Sequence, residues 1–129
     1  GLSQYDGIVF SDDGNRVAYS RHDAGQDTVF IADSDGQNEV KLIQSTEVKG
    51  FGFLPESRLG VVTKKEMITY DAKTGTKGDV VTWKEPLNLR SFGGFSPDGS
   101  VFIFDDGGPY HLSLHHMDMK TQKATTVKK

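Results

Sequence analysis

The chain has 129 residues and a mass of 14.2 kDa, enough to bury a real core without metal or disulfide support. Its 18 acidic and 15 basic side chains give a formal charge of −3, without the basic excess that phosphate contacts demand, so nucleic acid is not an expected partner. Cysteine is absent, which rules out disulfides and thiolate metal sites and leaves the compartment open, and no apolar run approaches the roughly 18 residues of a membrane-spanning helix.

Gly1-Leu2-Ser3-Gln4-Tyr5 carries neither the charged nor the apolar region of an export signal, and Gly1 in place of Met reads as a start inside a longer precursor or as a cloning remnant. Apolar alternation broken by Gly, Asp, Asn and Pro then predicts strands throughout, and no window sustains a helical stripe. The first strands are expected at 7–10, 16–21, 28–32 and 40–44. Between them lie Ser11-Asp12-Asp13-Gly14-Asn15, His22-Asp23-Ala24-Gly25-Gln26 and Asp33-Ser34-Asp35-Gly36-Gln37, whose Asp and Gly residues supply acceptors and positive φ for hairpins. A second set follows at 50–53, 59–63, 66–70 and 79–82, with a very short middle hairpin through Lys64-Lys65. A third is expected at 91–95, 101–104, 111–117 and 124–127, its middle connection beginning Asp105-Asp106-Gly107-Gly108-Pro109.

The three sets are copies of one unit. Phe10-Ser11-Asp12-Asp13-Gly14, Phe53-Leu54-Pro55-Glu56-Ser57 and Phe95-Ser96-Pro97-Asp98-Gly99 recur at spacings of 43 and 42 residues, the period of a four-stranded propeller blade. Asp33, Asp71 and Asp118 likewise each end a third strand and precede a turn. Val29-Phe30-Ile31, Val61-Val62 and Phe102-Ile103-Phe104 are continuous apolar runs of the kind a sheet shows when both faces are covered, whereas residues 39–43 alternate as an outer strand should. Phe10, Phe53 and Phe95 are all expected to point into gaps between sheets. The expectation is a single all-β domain, 1–129, with blades at about 7–46, 48–84 and 89–127.

Few residues suggest chemistry. Three of the four histidines fall between 111 and 116, and His111 and His115 on one strand face would stand roughly 13 Å apart, too far to share one zinc ion. Hydrogen-bonded histidines between sheets are the expected role, and no metal or cofactor is predicted. Residues 33–39 have the acid and glycine content of a calcium loop without its order of ligands, and a hairpin turn accounts for them. Asp105 with Asp106 is a weak candidate carboxylate pair, and Trp83, the single tryptophan, is expected to pack over the edge of the next sheet.

The phrase at 95–99, and its variant at 10–14 followed by Arg16-Val17-Ala18-Tyr19-Ser20 and later Val29-Phe30-Ile31-Ala32-Asp33, resembles the WD-like repeat of TolB-type β-propellers. The second copy departs, with Leu54 for Ser and Ser57 in the place of the turn glycine. The resemblance implies short blades around an axis, usually six, an extracytoplasmic place, and a binding platform more than an enzyme. The same repeat caps prolyl-oligopeptidase-like peptidases, so the alternative is the gating portion of a larger hydrolase; no G-x-S-x-G elbow occurs here.

Three blades make a partial ring. A homodimer closing six blades, a part excised from a longer propeller, and an open stack all remain as assemblies. The leading expectation is a noncatalytic scaffold presenting loops to a protein or peptide, with a glycan as a further ligand. Arg21, His22 and Asp23 in the first middle hairpin, and Asp106, Pro109 and His111 in the third, are the candidate ligand-binding residues, because these loops match in position and are expected to be longer than the second.

Overall fold

The computed structural model describes residues 4–107 and 114–128, with no helix among them. The first sheet comprises β1 (Gln4–Phe10), β2 (Arg16–Asp23), β3 (Gln26–Asp33) and β4 (Val40–Ser45). The second comprises β5 (Val48–Leu54), β6 (Arg58–Thr63), β7 (Glu66–Asp71) and β8 (Lys77–Thr82). The third comprises β9 (Ser91–Phe95), β10 (Val101–Asp105), β11 (Leu114–Asp118) and β12 (Lys123–Lys128). Each is a four-stranded antiparallel meander in chain order. The expected strand at 111–117 is seen from Leu114 onward, and 111–113 lie outside the described residues.

The sheets stack face to face, and two apolar clusters fill the gaps. Val29 and Ile31 from the first sheet meet Leu59, Val61, Ile68 and Tyr70 from the second, with Phe53 packed alongside. Val62 and Met67, on the opposite side of the second sheet, meet Phe102, Phe104 and Met117 of the third. Neighbouring residues on a strand point to opposite faces, so Val61 and Val62 serve different clusters and the middle sheet is covered on both sides.

The other two apolar runs have one uncovered side. Phe30 faces away from the second sheet, yet is buried because Tyr19 stacks on it at 5.4 Å and the Arg21 guanidinium lies 4.5 Å from its ring centroid. Ile103 remains 41% exposed. Phe10, expected in a gap, is 58% exposed on the same outer face as Ile8, because no sheet precedes it in the structure. Residues 39–43 do not simply alternate either: the β3–β4 register shifts between Val29 and Phe30, so Leu42 and Ile43 both pack on the core.

Glycine decides how closely the second and third sheets approach. A methyl placed on Gly50 would lie 2.2 Å from Phe92 Cβ, and one on Gly60 would lie 2.9 Å from the Phe95 ring. Gly50, Gly52 and Gly60 thus form a shallow floor on which Phe92 and Phe95 of β9 rest, joined by Phe102 in a cluster of tilted and edge-on rings.

The recurring phrase folds into a recurring turn. Ser11 Oγ donates to Asp13 Oδ1 at 2.7 Å, the Asn15 N–H donates to the same oxygen, and the Arg16 N–H returns to Ser11 Oγ. Ser96, Asp98, Ser100 and Val101 repeat these bonds, and Gly14 and Gly99 take φ of 74° and 75°. The second copy uses Glu56 and Ser57 at φ 66° and 56°, a tighter turn in which Leu54 pairs with Arg58. At the third-strand ends, the Thr74 and Lys73 N–H groups donate to Asp71, and those of Thr121 and Lys120 to Asp118.

These bonds hold the turn carboxyls below the usual carboxylate range. Asp98 is the extreme, lowered to about 2 by the Ser100 hydroxyl and N–H and by Ser96. A folded pKa below the unfolded one adds stability that is complete above the unfolded value of 3.8 and is lost as pH falls through the folded value. The stability difference between the wild-type chain and Asp98→Asn, measured by urea unfolding, should be constant from about pH 5 to 7 and shrink between about pH 4 and 2; a difference unchanged down to about pH 2 contradicts the turn assignment. In the same assay Gly50→Ala should cost about 1–3 kcal/mol through overpacking against Phe92, and an effect below about 0.5 kcal/mol, typical of a neutral surface change, would refute the close approach.

Candidate functional site

The registers place three hairpins at one end of the sheets. His22 pairs with Gln4 and Asp27, Thr63 with Val48, and Asp105 with Ser91 and Leu114. The β2–β3, β6–β7 and β10–β11 connections therefore stand where β1, β5 and β9 begin. The opposite end of these strands carries the aspartate turns, whose carboxylates are engaged by their own backbone.

The first of these hairpins differs from expectation. β2 and β3 run on through His22, Asp23 and Asp27, leaving only Ala24 and Gly25, at φ 53° and 80°, as the loop. Its connection is thus no longer than Lys64-Lys65 of the second sheet, and the hairpin projects further because its strands have 8 residues against 6. A primed two-residue turn of this kind needs positive φ at both positions, and Ala-Gly signals that less strongly than Asn-Gly.

Strand alternation separates the candidates. His22 faces the second sheet and lines a cleft of about 500 Å³ with Ser20, Asp27, Lys49 and Phe51. Its Nδ1 lies 2.9 Å from Asp27 Oδ1; an ionised carboxylate only accepts, so the ring nitrogen donates. Arg21 is on the other face, held over Phe30, in a depression shared with Asp23 and Lys41. Asp106 directly follows β10 of the third sheet, and Pro109 and His111 lie outside the described residues. The structure therefore brings Arg21 and Asp23 to one face of the hairpin and His22 to the other, with Asp106 at a separate cleft.

That second cleft, of about 440 Å³, opens between the second and third sheets and is walled by Trp83, Pro86, Asp106, His115 and Gln122. His115 stacks on Phe104 at 5.2 Å. Its Nε2 lies 2.9 Å from Asp106 Oδ2 and its Nδ1 3.2 Å from Thr126 Oγ1. With the carboxylate accepting, Nε2 carries a proton, and Nδ1 and the Thr126 hydroxyl share the second hydrogen bond. This is the hydrogen-bonded histidine between sheets that the sequence suggested, now with its partners identified. Trp83 is 5% exposed, packs 5.8 Å from Phe102 and donates from Nε1 to the Thr63 carbonyl, the edge-covering role expected of it. Among the described residues, no three His, Asp or Glu side chains converge as a metal site.

Sequence reasoning did not single out Asp27, Lys49 or Thr126. Asp27 was within reach, five residues beyond His22 across a tight turn. Lys49 and Thr126 join their clefts only through sheet stacking and strand register, which have no local signature.

No family model matches the chain, and no curated protein matches it. Solved structures do. The chain superposes over 100% of its length on 49% of a chain from a nidogen/laminin complex, with a TM-score of 0.70 and 17% identity. It covers 97% of its length and 43% of the β-propeller domain of the Trilobed protease from Pyrococcus furiosus, with a TM-score of 0.61 and 12% identity. It covers 96% of its length and 33% of TolB from Acinetobacter baumannii, with a TM-score of 0.62 and 24% identity. This is a β-propeller fold. Each sheet is a blade, and the chain spans half or less of the length of the propellers it matches. The fold is shared by enzymes as well, among them an oligogalacturonate lyase in complex with manganese, so the blades alone do not specify chemistry.

Trp83 closes the blade 2 side of the second cleft. Trp83→Ala should cost about 3–5 kcal/mol in urea unfolding, as large aromatic deletions in cores do, and Trp83→Phe markedly less. A loss below about 1 kcal/mol for the alanine variant, characteristic of surface sites, would contradict its place in the core.

Proposed function

We propose that the chain is a noncatalytic binding module, a stiff partial propeller that presents its β2–β3 and β10–β11 hairpins to a protein or peptide. The carrying observation is the difference between the two strand ends. Clefts open at both ends, but in those at the turn end Asp13 and Asp71 accept from their own turns, whereas the clefts at the other end hold the His22–Asp27 and Asp106–His115 pairs together with Arg21, Asp23 and Lys49. Clefts of about 500 and 440 Å³ suit individual side chains of a peptide, and a sugar unit is the alternative occupant. The superposition on a chain from a nidogen/laminin complex supports a protein partner as the type of ligand. The proposed place of action is outside the cytoplasm, following the TolB-type resemblance.

The test compares the wild-type chain with the triple variant Arg21→Ala, His22→Ala, Asp23→Ala in affinity capture from host extract, followed by titration of the identified partner. At least a tenfold weaker affinity is expected, with the β-sheet fold retained by circular dichroism. Equal affinity would move the site elsewhere, and turnover of peptide or ester substrates by the chain would favour the hydrolase-associated alternative.

A further inference from the structure

The cleft between blades 2 and 3 has two stiff walls, supplied by blades that face each other within the chain. One wall is the crossing from β8 to β9. Its backbone is pinned to the β6–β7 hairpin by the Trp83 N–H, which donates to the Lys65 carbonyl at 2.9 Å, and by the Leu87 N–H, which donates to the Lys64 carbonyl at 2.7 Å. At its far end the Arg90 N–H donates to the Asp105 carbonyl at 2.7 Å. The other wall is the blade 2 side of the third sheet, where register pairs Phe104 with His115 and places Met117 two residues further along β11. Trp83, Leu87, Phe104 and Met117 are all buried, so the cleft has an apolar floor.

The polar groups on these walls divide by type. The donors are already engaged: Trp83 Nε1 with the Thr63 carbonyl, the Lys84 N–H with Gln122 Oε1 at 2.7 Å, the Gln122 amide with the Thr82 carbonyl at 3.4 Å, and His115 Nε2 with Asp106. Lys84 is the only lysine or arginine lining the cleft among the described residues, and its ammonium is directed at the Thr121 carbonyl, 3.4 Å away. The acceptors retain capacity. A carboxylate has two oxygens and about four lone-pair positions, more than a single histidine occupies, so the His115 bond does not exhaust Asp106. Glu85, exposed on the opposite wall, makes no ion pair or hydrogen bond among the described residues.

We propose that this cleft takes a basic side chain, arginine or lysine, from the peptide or protein partner, its cationic head between Asp106 and Glu85 and its methylene stem on the floor of Trp83, Phe104 and Met117. Burying the stem while the charge stays at a wet rim is how these side chains ordinarily pack, and about 440 Å³ admits the whole side chain. An acidic side chain would face two like charges, and a neutral one would gain the floor alone. This rests on the reading of the chain as a peptide-binding module and names what one of its clefts selects.

The test is NMR titration of the isotopically labelled chain with N-acetyl-arginine amide and N-acetyl-lysine amide, following the Trp83 indole N–H and the His115 ring. Saturable shifts at both groups are expected, with N-acetyl-norleucine amide and N-acetyl-glutamate amide binding about tenfold more weakly or less. Asp106→Asn and Glu85→Gln should each weaken the arginine probe about threefold, the scale of one partly exposed charge pair, with the β-sheet circular dichroism spectrum kept. Because Asp106 also holds His115, the exposed Glu85→Gln change carries the test should the Asp106 variant fail to fold. No saturable shift with either basic probe, equal binding of norleucine, preference for glutamate or a neutral methyl glycoside, or undiminished arginine affinity in Glu85→Gln would each overturn the proposal. No partner protein enters this titration, so loss of capture by the triple loop variant and loss of basic-probe binding are separate results.

Discussion

Close approach of consecutive blades through glycine is the constraint on which the rest depends. Phe92 and Phe95 can approach β5 and β6 so closely only because Gly50, Gly52 and Gly60 have no side chains there. That approach brings Phe102, Phe104 and Met117 against Val62 and Met67, and lets Trp83 close the outer side. The contact between blades 1 and 2 solves the same problem more gently, with Phe51 3.3 Å from a methyl built on Gly7. Neither sheet would have a stable inner face without its neighbour, as expected of units that cannot bury an apolar surface alone.

Stacking also sorts function to one end. A blade is a meander, so its first and third turns share one strand end and its middle turn takes the other. Aspartates tie down the first turns of blades 1 and 3 and the third turns of all three, and Arg16, paired with Asp33 at 2.6 Å, adds a cross-blade tie by donating to the Ala72 carbonyl. The β2–β3 hairpin and the described end of the β10–β11 connection lie beside the gaps between blades. Two such gaps hold a histidine and an aspartate in contact, His22 with Asp27 and His115 with Asp106. The pairs come from different strands and line different parts of their gaps, so they are separate features and not one repeated motif.

Much of the architecture was legible because it repeats. The Phe-Ser-x-Asp-Gly phrase encodes its own turn through the Ser and Asp acceptors, and its spacing gives the blade length. The double-covered middle sheet was readable from Val61-Val62. What was not readable is what one period cannot encode. Phe10 carries the same local signal as Phe95, and only the presence or absence of a preceding blade decides whether it is buried. The reach of β2 and β3 through His22 and Asp27 was missed because polar residues can extend a hairpin as well as end it. The separation of Arg21 from His22 followed directly from strand alternation once that extension was known. His115 was noticed for its neighbours in sequence, yet its role is set by Phe104, Asp106 and Thr126, which register brings to it.

The most direct measurement of the central claim is proton NMR of the glycines beneath the β9 rings. Gly50, Gly52 and Gly60 Hα resonances should be displaced far upfield by ring currents and show nuclear Overhauser contacts to Phe92 or Phe95 protons. Random-coil shifts at these glycines, with no contact to either ring, would contradict blade stacking as described.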